Sequence, residues 1–116
     1  MKRKVLIVDD VADIRLMLRS IIEREGYQIV GEAANGMEAV ELYFEHYPDI
    51  TIMDIDMPYM TGVEAAQQIL SHASDARIVF CTGGTRSREV AALGLSPVSV
   101  VSKPFLPAQL YRAMNA

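Results

Sequence analysis

Short apolar runs that stop abruptly at a polar residue set the rhythm of the chain. Val5-Leu6-Ile7-Val8 runs into Asp9-Asp10, Ile50-Thr51-Ile52-Met53 into Asp54, Ile78-Val79-Phe80-Cys81 into Thr82, and Val98-Ser99-Val100-Val101-Ser102 into Lys103. Runs of this length and β-branched content read as strands, and the two before Asp9 and Asp54 are almost wholly apolar, as strands covered on both faces are. Tyr27-Gln28-Ile29-Val30-Gly31 adds another strand after Gly26.

Between the strands the period changes. Ile14, Met17, Leu18, Ile21 and Ile22 recur at three- and four-residue steps, with Arg15, Arg19, Glu23 and Arg24 on the other side, which predicts a helix with those apolar residues facing inward. Asn35-Gly36-Met37-Glu38 reads as a capping box opening a second helix whose inner face is Val40, Tyr43, Phe44 and Tyr47. Thr61-Gly62-Val63-Glu64 starts a third, with Val63, Ala66, Ile69 and Leu70 on one side. The fourth strand spans 77–81, a short fourth helix is expected near 87–93 before Gly94 and Ser96-Pro97, and the fifth strand spans 98–101. Pro107 suits the first turn of a last helix that carries Leu106, Leu110 and Met114 inward. Five strands alternating with five helices predict an α/β architecture, doubly wound, with parallel pairing, right-handed crossovers and helices on both faces.

Composition narrows the class. A chain of 116 residues is one ordinary domain, large enough to bury a core without disulfides or structural metal. A formal net charge of −4 argues against nucleic acid as a partner, because a phosphate backbone demands a basic face. Lys2-Arg3-Lys4 is the only basic cluster and reads as a solvated strand entrance. The start resembles a secretory leader briefly, but its apolar run ends at Asp9, well short of the ~7–15 residues such a segment needs. No stretch approaches the ~20 apolar residues of a membrane span, so a cytoplasmic protein is expected. The single Cys81 sits inside an apolar strand and suits a buried small hydrophobe, and with only His46 and His72, both expected at the surface, a zinc site is not supported. Beginning at a strand and ending in a helix, the chain reads as a free-standing domain or one trimmed from a longer protein.

In open α/β sheets the ligand crevice lies beyond the carboxyl ends of the strands. Asp9, Asp10, Asp54, Thr82 and Lys103 all fall there, bringing carboxylates, a hydroxyl and an ammonium to one edge.

Asp9-Asp10, the run Asp54-Ile55-Asp56-Met57-Pro58-Tyr59-Met60-Thr61-Gly62, Thr82 and Lys103-Pro104-Phe105 together resemble the receiver domain of two-component response regulators, the CheY-like family, over essentially the whole of 1–116. The resemblance implies a flavodoxin-like (βα)5 fold with strand order 2-1-3-4-5. It implies that Asp54 is the phosphoacceptor, taking its group from a sensor histidine kinase or phosphotransfer protein, with Thr82 and Lys103 contacting the phosphoryl oxygens. It implies Mg2+ held by Asp10, Asp54 and the main-chain carbonyl of Asp56, with Asp9 acting through water, and a cis Lys103-Pro104 peptide. The chemistry agrees: a carboxylate and a phosphoryl donor are both anionic, so the site needs a cation, and Mg2+ prefers oxygen ligands. Such a domain catalyses its own phosphorylation and dephosphorylation without being a turnover enzyme, binds neither nucleic acid nor membrane itself, and is a candidate for a phosphorylation-dependent dimer through its fourth helix, fifth strand and fifth helix.

The pattern departs from the family at Val100, where receivers usually carry Tyr or Phe as a rotamer switch, and at Leu93-Gly94-Leu95-Ser96-Pro97. Activation is therefore expected to act through the backbone of loop 82–86, where Gly83-Gly84 lends freedom. Asp56 and Gly84 occupy the positions that flank the hydrolytic water in receivers; Gly84 has no side chain to orient it and the Asp56 carboxylate adds negative charge where it approaches, which predicts slow self-dephosphorylation unless Asp56 itself orients the water. Two other readings stay open. Met53-Asp54-Ile55-Asp56 also matches the D-x-D of haloacid-dehalogenase-type phosphatases, although that family places it at the first strand of a larger chain. A receiver serving only as a protein-binding module has Val100 in its favour and the complete acidic site against it.

Overall fold

A computed structural model of the chain describes residues 2–83, 98–103 and 105–115, with Thr82 and Val98 given by backbone alone. Five parallel strands, Lys4–Val8 (β1), Gln28–Ala33 (β2), Ile50–Asp54 (β3), Ile78–Thr82 (β4) and Val98–Ser102 (β5), form one sheet in the order β2-β1-β3-β4-β5. Four helices are described: Ala12–Arg24 (α1), Gly36–His46 (α2), Gly62–His72 (α3) and Pro107–Met114 (α4). The short helix expected near 87–93, together with Gly84 and 94–97, falls outside the described residues, as does Pro104 and with it the Lys103-Pro104 peptide.

Burial follows the alternation of side chains along the two central strands. Leu6, Val8 and Met53 point to one face, where Ala39, Tyr43, Ala65, Ala66 and Ile69 of α2 and α3 cover them together with Phe80. Val5, Ile7, Ile50 and Ile52 point to the other, packed against Leu18 and Ile22 of α1 and Leu110 and Met114 of α4. Because β1 and β3 are flanked by strands on both sides and helices on both faces, their apolar side chains are completely removed from water.

Three residues expected inside lie outside. Met17 sits at the edge of the α1 stripe, whose buried line runs through Leu18 and Ile22. Tyr47 follows the last turn of α2 in a left-handed conformation (φ 46°), which carries its ring into solvent while leaving edge contacts to Tyr43 and Phe44. Leu106 precedes α4 with extended backbone, so it does not share the stripe of Leu110 and Met114.

The helix starts match their sequence signals with one difference. At α3, Thr61 Oγ1 accepts from the Glu64 N–H and Glu64 Oε1 from the Thr61 N–H, a complete reciprocal box. At α2, Asn35 Oδ1 accepts from the Glu38 N–H at 2.9 Å, but Glu38 reaches one residue further back and accepts from the Ala34 N–H.

Candidate functional site

Sheet order decides which polar side chains meet. The register of β1 against β3 ends at Val8↔Met53, so Asp9 and Asp54, one residue on, emerge side by side. Asp54 is opposite Cys81 across β3 and β4, and Thr82 is opposite Ser102, which delivers Lys103 to the same edge. One carboxylate oxygen from each of Asp9, Asp10 and Asp54 lies within 4.8 Å of the others. Lys103 Nζ stands 3.3 Å from Asp9 Oδ2 and 3.7 Å from Asp54 Oδ1, spanning the two carboxylates. Four of the residues singled out from the sequence are thus brought together. The backbone of Thr82 ends β4 at this edge. Asp56 is exposed, two residues beyond β3.

The individual environments differ sharply. Asp9 is 1% exposed; Oδ1 accepts from the Val11 N–H at 2.9 Å, Oδ2 from Lys103, and the Asp9 N–H donates to Ala33 O. Asp10 is exposed, and Asp54 is half-buried with Oδ1 accepting from the Ile55 N–H at 2.8 Å. Arg15, expected on the outer side of α1, instead folds back: its Nη1 donates to the Asp9 carbonyl at 2.6 Å and its Nε to Glu32 Oε1 at 3.3 Å. Nothing in the local pattern announces this, since the two acceptors belong to other parts of the fold.

The loop after Asp54 is held by close backbone contacts. The Gly62 N–H donates to Ile55 O at 2.8 Å, and a Cβ at Gly62 would collide with the Asp54 carbonyl oxygen and lie 3.0 Å from Ile55 Cα. Gly36, at the start of α2, donates to Met60 O, and a Cβ there would lie 2.5 Å from that oxygen. Between these anchors Tyr59 adopts φ 68° inside a tight turn closed by Met60 N–H to Pro58 O, and its ring is 87% exposed.

Two of the three carboxylates, those of Asp9 and Asp54, share the Lys103 ammonium. Burial pushes the Asp54 carboxyl above the usual carboxylate range; Lys103 pulls it back, and the charges of Asp9 and Asp10 act with burial. Burial works against the Lys103 ammonium, but Asp54 and Asp9 outweigh it and hold the group above its ordinary value. Cys81, behind the site, is a buried thiol pushed up to about 12, chiefly by burial, and is no nucleophile at neutral pH. A crowded, oxygen-only donor set carrying excess negative charge fits a hard dication such as Mg2+ and, with no His or Cys ligand in it, does not resemble a zinc site.

Comparison with known proteins places this geometry in a family. The model of the response regulator receiver domain matches residues 5–115. The chemotaxis protein CheY of Thermotoga maritima is 42% identical over 116 residues, covering 99% of this chain and 97% of that protein, and CheY of Bacillus subtilis is 39% identical with the same coverage. Among solved structures, a chain of the CheX-CheY-BeF3-Mg2+ complex from Borrelia burgdorferi superposes with a TM-score of 0.89 at 31% identity, covering 96% of this chain and 85% of that one. The response regulator domain of Thermotoga maritima CheB gives 0.84 at 31% identity, covering 100% and 98%. Strand order, an acidic cluster at the strand ends and the opposed lysine agree with these matches: the chain belongs to the receiver domains of two-component response regulators, a family whose role is to accept a phosphoryl group on an aspartate.

Proposed function

We propose that residues 1–116 act as one receiver domain in which Asp54 is the phosphoacceptor. The observation that carries this reading is the convergence of Asp9, Asp10 and Asp54 with Lys103 at the carboxyl edge of the central strands. A carboxylate oxygen of Asp54 attacks the phosphorus of a phosphohistidine, the P–N bond breaks, and the imidazole leaves as the aspartyl phosphate forms. Lys103 already bridges Asp9 and Asp54, so it is positioned to pair with the new phosphoryl oxygens, which add about −1.5 to −2 charge. Thr82 supplies a hydroxyl from the end of β4.

Asp10, Asp54 and the main-chain carbonyl of Asp56 would hold Mg2+ directly, with Asp9 acting through water. The two oxygens of Asp9 are engaged by Val11 and Lys103, which supports its indirect role. Mg2+ in this place supplies neutralisation of the negative charge gathered between donor and acceptor. The phosphoryl group ends on the protein itself, so the domain works stoichiometrically and is not a turnover enzyme. Its partner is a sensor histidine kinase or phosphotransfer protein in the cytoplasm, and phosphorylation alters the face around β5, which includes a dimer surface. No described helix is long and apolar enough to cross a membrane.

Incubation with acetyl phosphate and MgCl2 tests the assignment by mass spectrometry. The wild type is expected to gain one phosphoryl group and Asp54→Asn none. Undiminished labelling of the variant would overturn the acceptor assignment. Release of phosphate with no phosphoprotein accumulating would favour the phosphatase reading, and neither labelling nor release by the wild type would favour the binding module.

A further inference from the structure

We propose that Arg15 is a positioning residue of the acidic site, clamping the peptide that joins Asp9 to Asp10 and thereby aiming the Asp10 carboxylate. The proposal rests on the reading of that site as a Mg2+ site.

Asp9 and Asp10 share one peptide plane, and its tilt fixes the direction in which Asp10 leaves the strand. One edge of Asp9 is tied to β2, where its N–H donates to Ala33 O at 3.0 Å. Its carbonyl receives Arg15 Nη1 at 2.6 Å, a short, charge-assisted bond. The side chain of Asp10 is exposed, so its aim depends on the backbone beneath it rather than on packing. The guanidinium is in turn held from β2: Arg15 Nε lies 3.3 Å from Glu32 Oε1, and the other oxygen of Glu32 is gripped by Arg19 at 2.7 Å. Arg15 is mostly covered, with 19% of its side chain exposed. The fork therefore links helix, edge strand and acid pair in one geometry, with the Asp9 carbonyl and Glu32 as its fixed points.

Charge alone does not explain the arrangement. Glu32 sits against the guanidinium and opposes the charge it would present to the carboxylates. A planar fork is required because two acceptors on different elements are bridged at once, which a lysine ammonium on a flexible stem does not reproduce. Partners that orient a metal ligand are typically worth ~10–100-fold in metal affinity. Arg15 is one bond further removed, acting through the backbone, so the lower end of that range, about tenfold, is expected.

The test uses the full chain with MgCl2 alone, followed by amide and carbonyl NMR. Arg15→Met and Arg15→Lys are both expected to bind Mg2+ about tenfold more weakly than wild type, and Glu32→Gln, which frees one arm only, by less. In metal-free protein the Asp9 carbonyl carbon is expected to move upfield in both Arg15 variants, reporting the lost hydrogen bond independently of Mg2+. With acetyl phosphate, the Mg2+ concentration for half-maximal labelling should rise while the rate at saturating Mg2+ stays near wild type, a split that general loosening of the fold would not produce. Wild-type Mg2+ affinity in Arg15→Met, full rescue by Arg15→Lys, or a lowered maximal rate with unchanged Mg2+ dependence would overturn the clamp while leaving the site assignment intact. Failure of the wild type itself to bind Mg2+ would overturn both.

Discussion

Lys103→Met removes the cation that bridges Asp9 and Asp54 while keeping most of the side-chain volume. At an effective dielectric of ~20, the 3.3 Å approach to Asp9 and the 3.7 Å approach to Asp54 correspond to about 5 and about 4.5 kcal/mol. Stripping one partner from a buried ion pair costs ~3–5 kcal/mol in practice, because the loss of attraction is offset by recovered hydration. Lys103 keeps 30% of its side chain in water, which sets the expectation at the low end, about 3 kcal/mol in EDTA at pH 7. For a domain of this size that is a fall of ~12 °C in Tm. The pH dependence has a definite sign. The folded pKa of Lys103 is raised, so its contribution is fully present below the ordinary lysine value and disappears only as pH climbs through the folded value, above ~10.4. The Asp54 pKa is also raised, so ionising it costs stability, and the cost grows once the lysine is gone. The gap between wild type and variant should therefore open as pH rises from ~4 towards neutrality, hold across the neutral range, and close in strong alkali. The sequence contains no Trp, so urea unfolding followed by far-UV circular dichroism is the appropriate measurement. Saturating Mg2+ is expected to narrow the gap by replacing the missing positive charge. Equal stability of the two proteins in EDTA at pH 7, or a gap that stays constant down to pH 4, would refute the electrostatic reasoning.

Gly62→Ala puts a methyl group against the Asp54 carbonyl and within 3.0 Å of Ile55 Cα, and overpacking against backbone should cost ~1–3 kcal/mol in urea denaturation. Gly83→Ala, whose Cβ meets nothing within 4 Å among the described residues, serves as the control; equal costs would show that the close approach is not what selects glycine at 62. Thr51 is fully buried and its Oγ1 has no hydrogen-bond partner among the described residues, so Thr51→Val is expected to raise stability by ~1 kcal/mol. A loss of stability by the same measurement would indicate that the hydroxyl is satisfied after all.

What was readable in the chain is what local chemistry dictates. The ends of the strands are marked by a switch from apolar to polar within one residue, and Asp9, Asp10, Asp54 and Lys103 stand at those switches. The sheet order came from resemblance, since alternation of elements fixes parallel pairing but not which strands are neighbours. Met17, Tyr47 and Leu106 lie outside the face that periodicity assigns them, because periodicity identifies a helix face without fixing its width or the point where the backbone leaves the helix. Arg15 was beyond reach for a different reason: its acceptors lie 6 and 17 residues away, and the spacing carries no trace of their meeting. The capping box at Asn35 departs from the reciprocal form by a single residue, because Glu38 accepts from the Ala34 N–H.

The acidic residues ride on the two central strands, whereas the lysine rides on β5, at the margin of the sheet. Amides at the heart of a sheet exchange with solvent only when the whole domain opens, while those at its margin exchange through smaller, more frequent excursions. Each such excursion of β5 withdraws the counter-charge and leaves the carboxylates facing one another, so site electrostatics and local opening are thermodynamically linked. A ligand that binds the carboxylates when the lysine is away, or ties the lysine down when it is present, thus acts on the opening of the margin itself. Amide exchange at Val101 and Ser102 measured against Met53 is expected to respond to Mg2+ and phosphorylation far more than Met53 does, and uniform protection across both strands would show that the sheet opens as one.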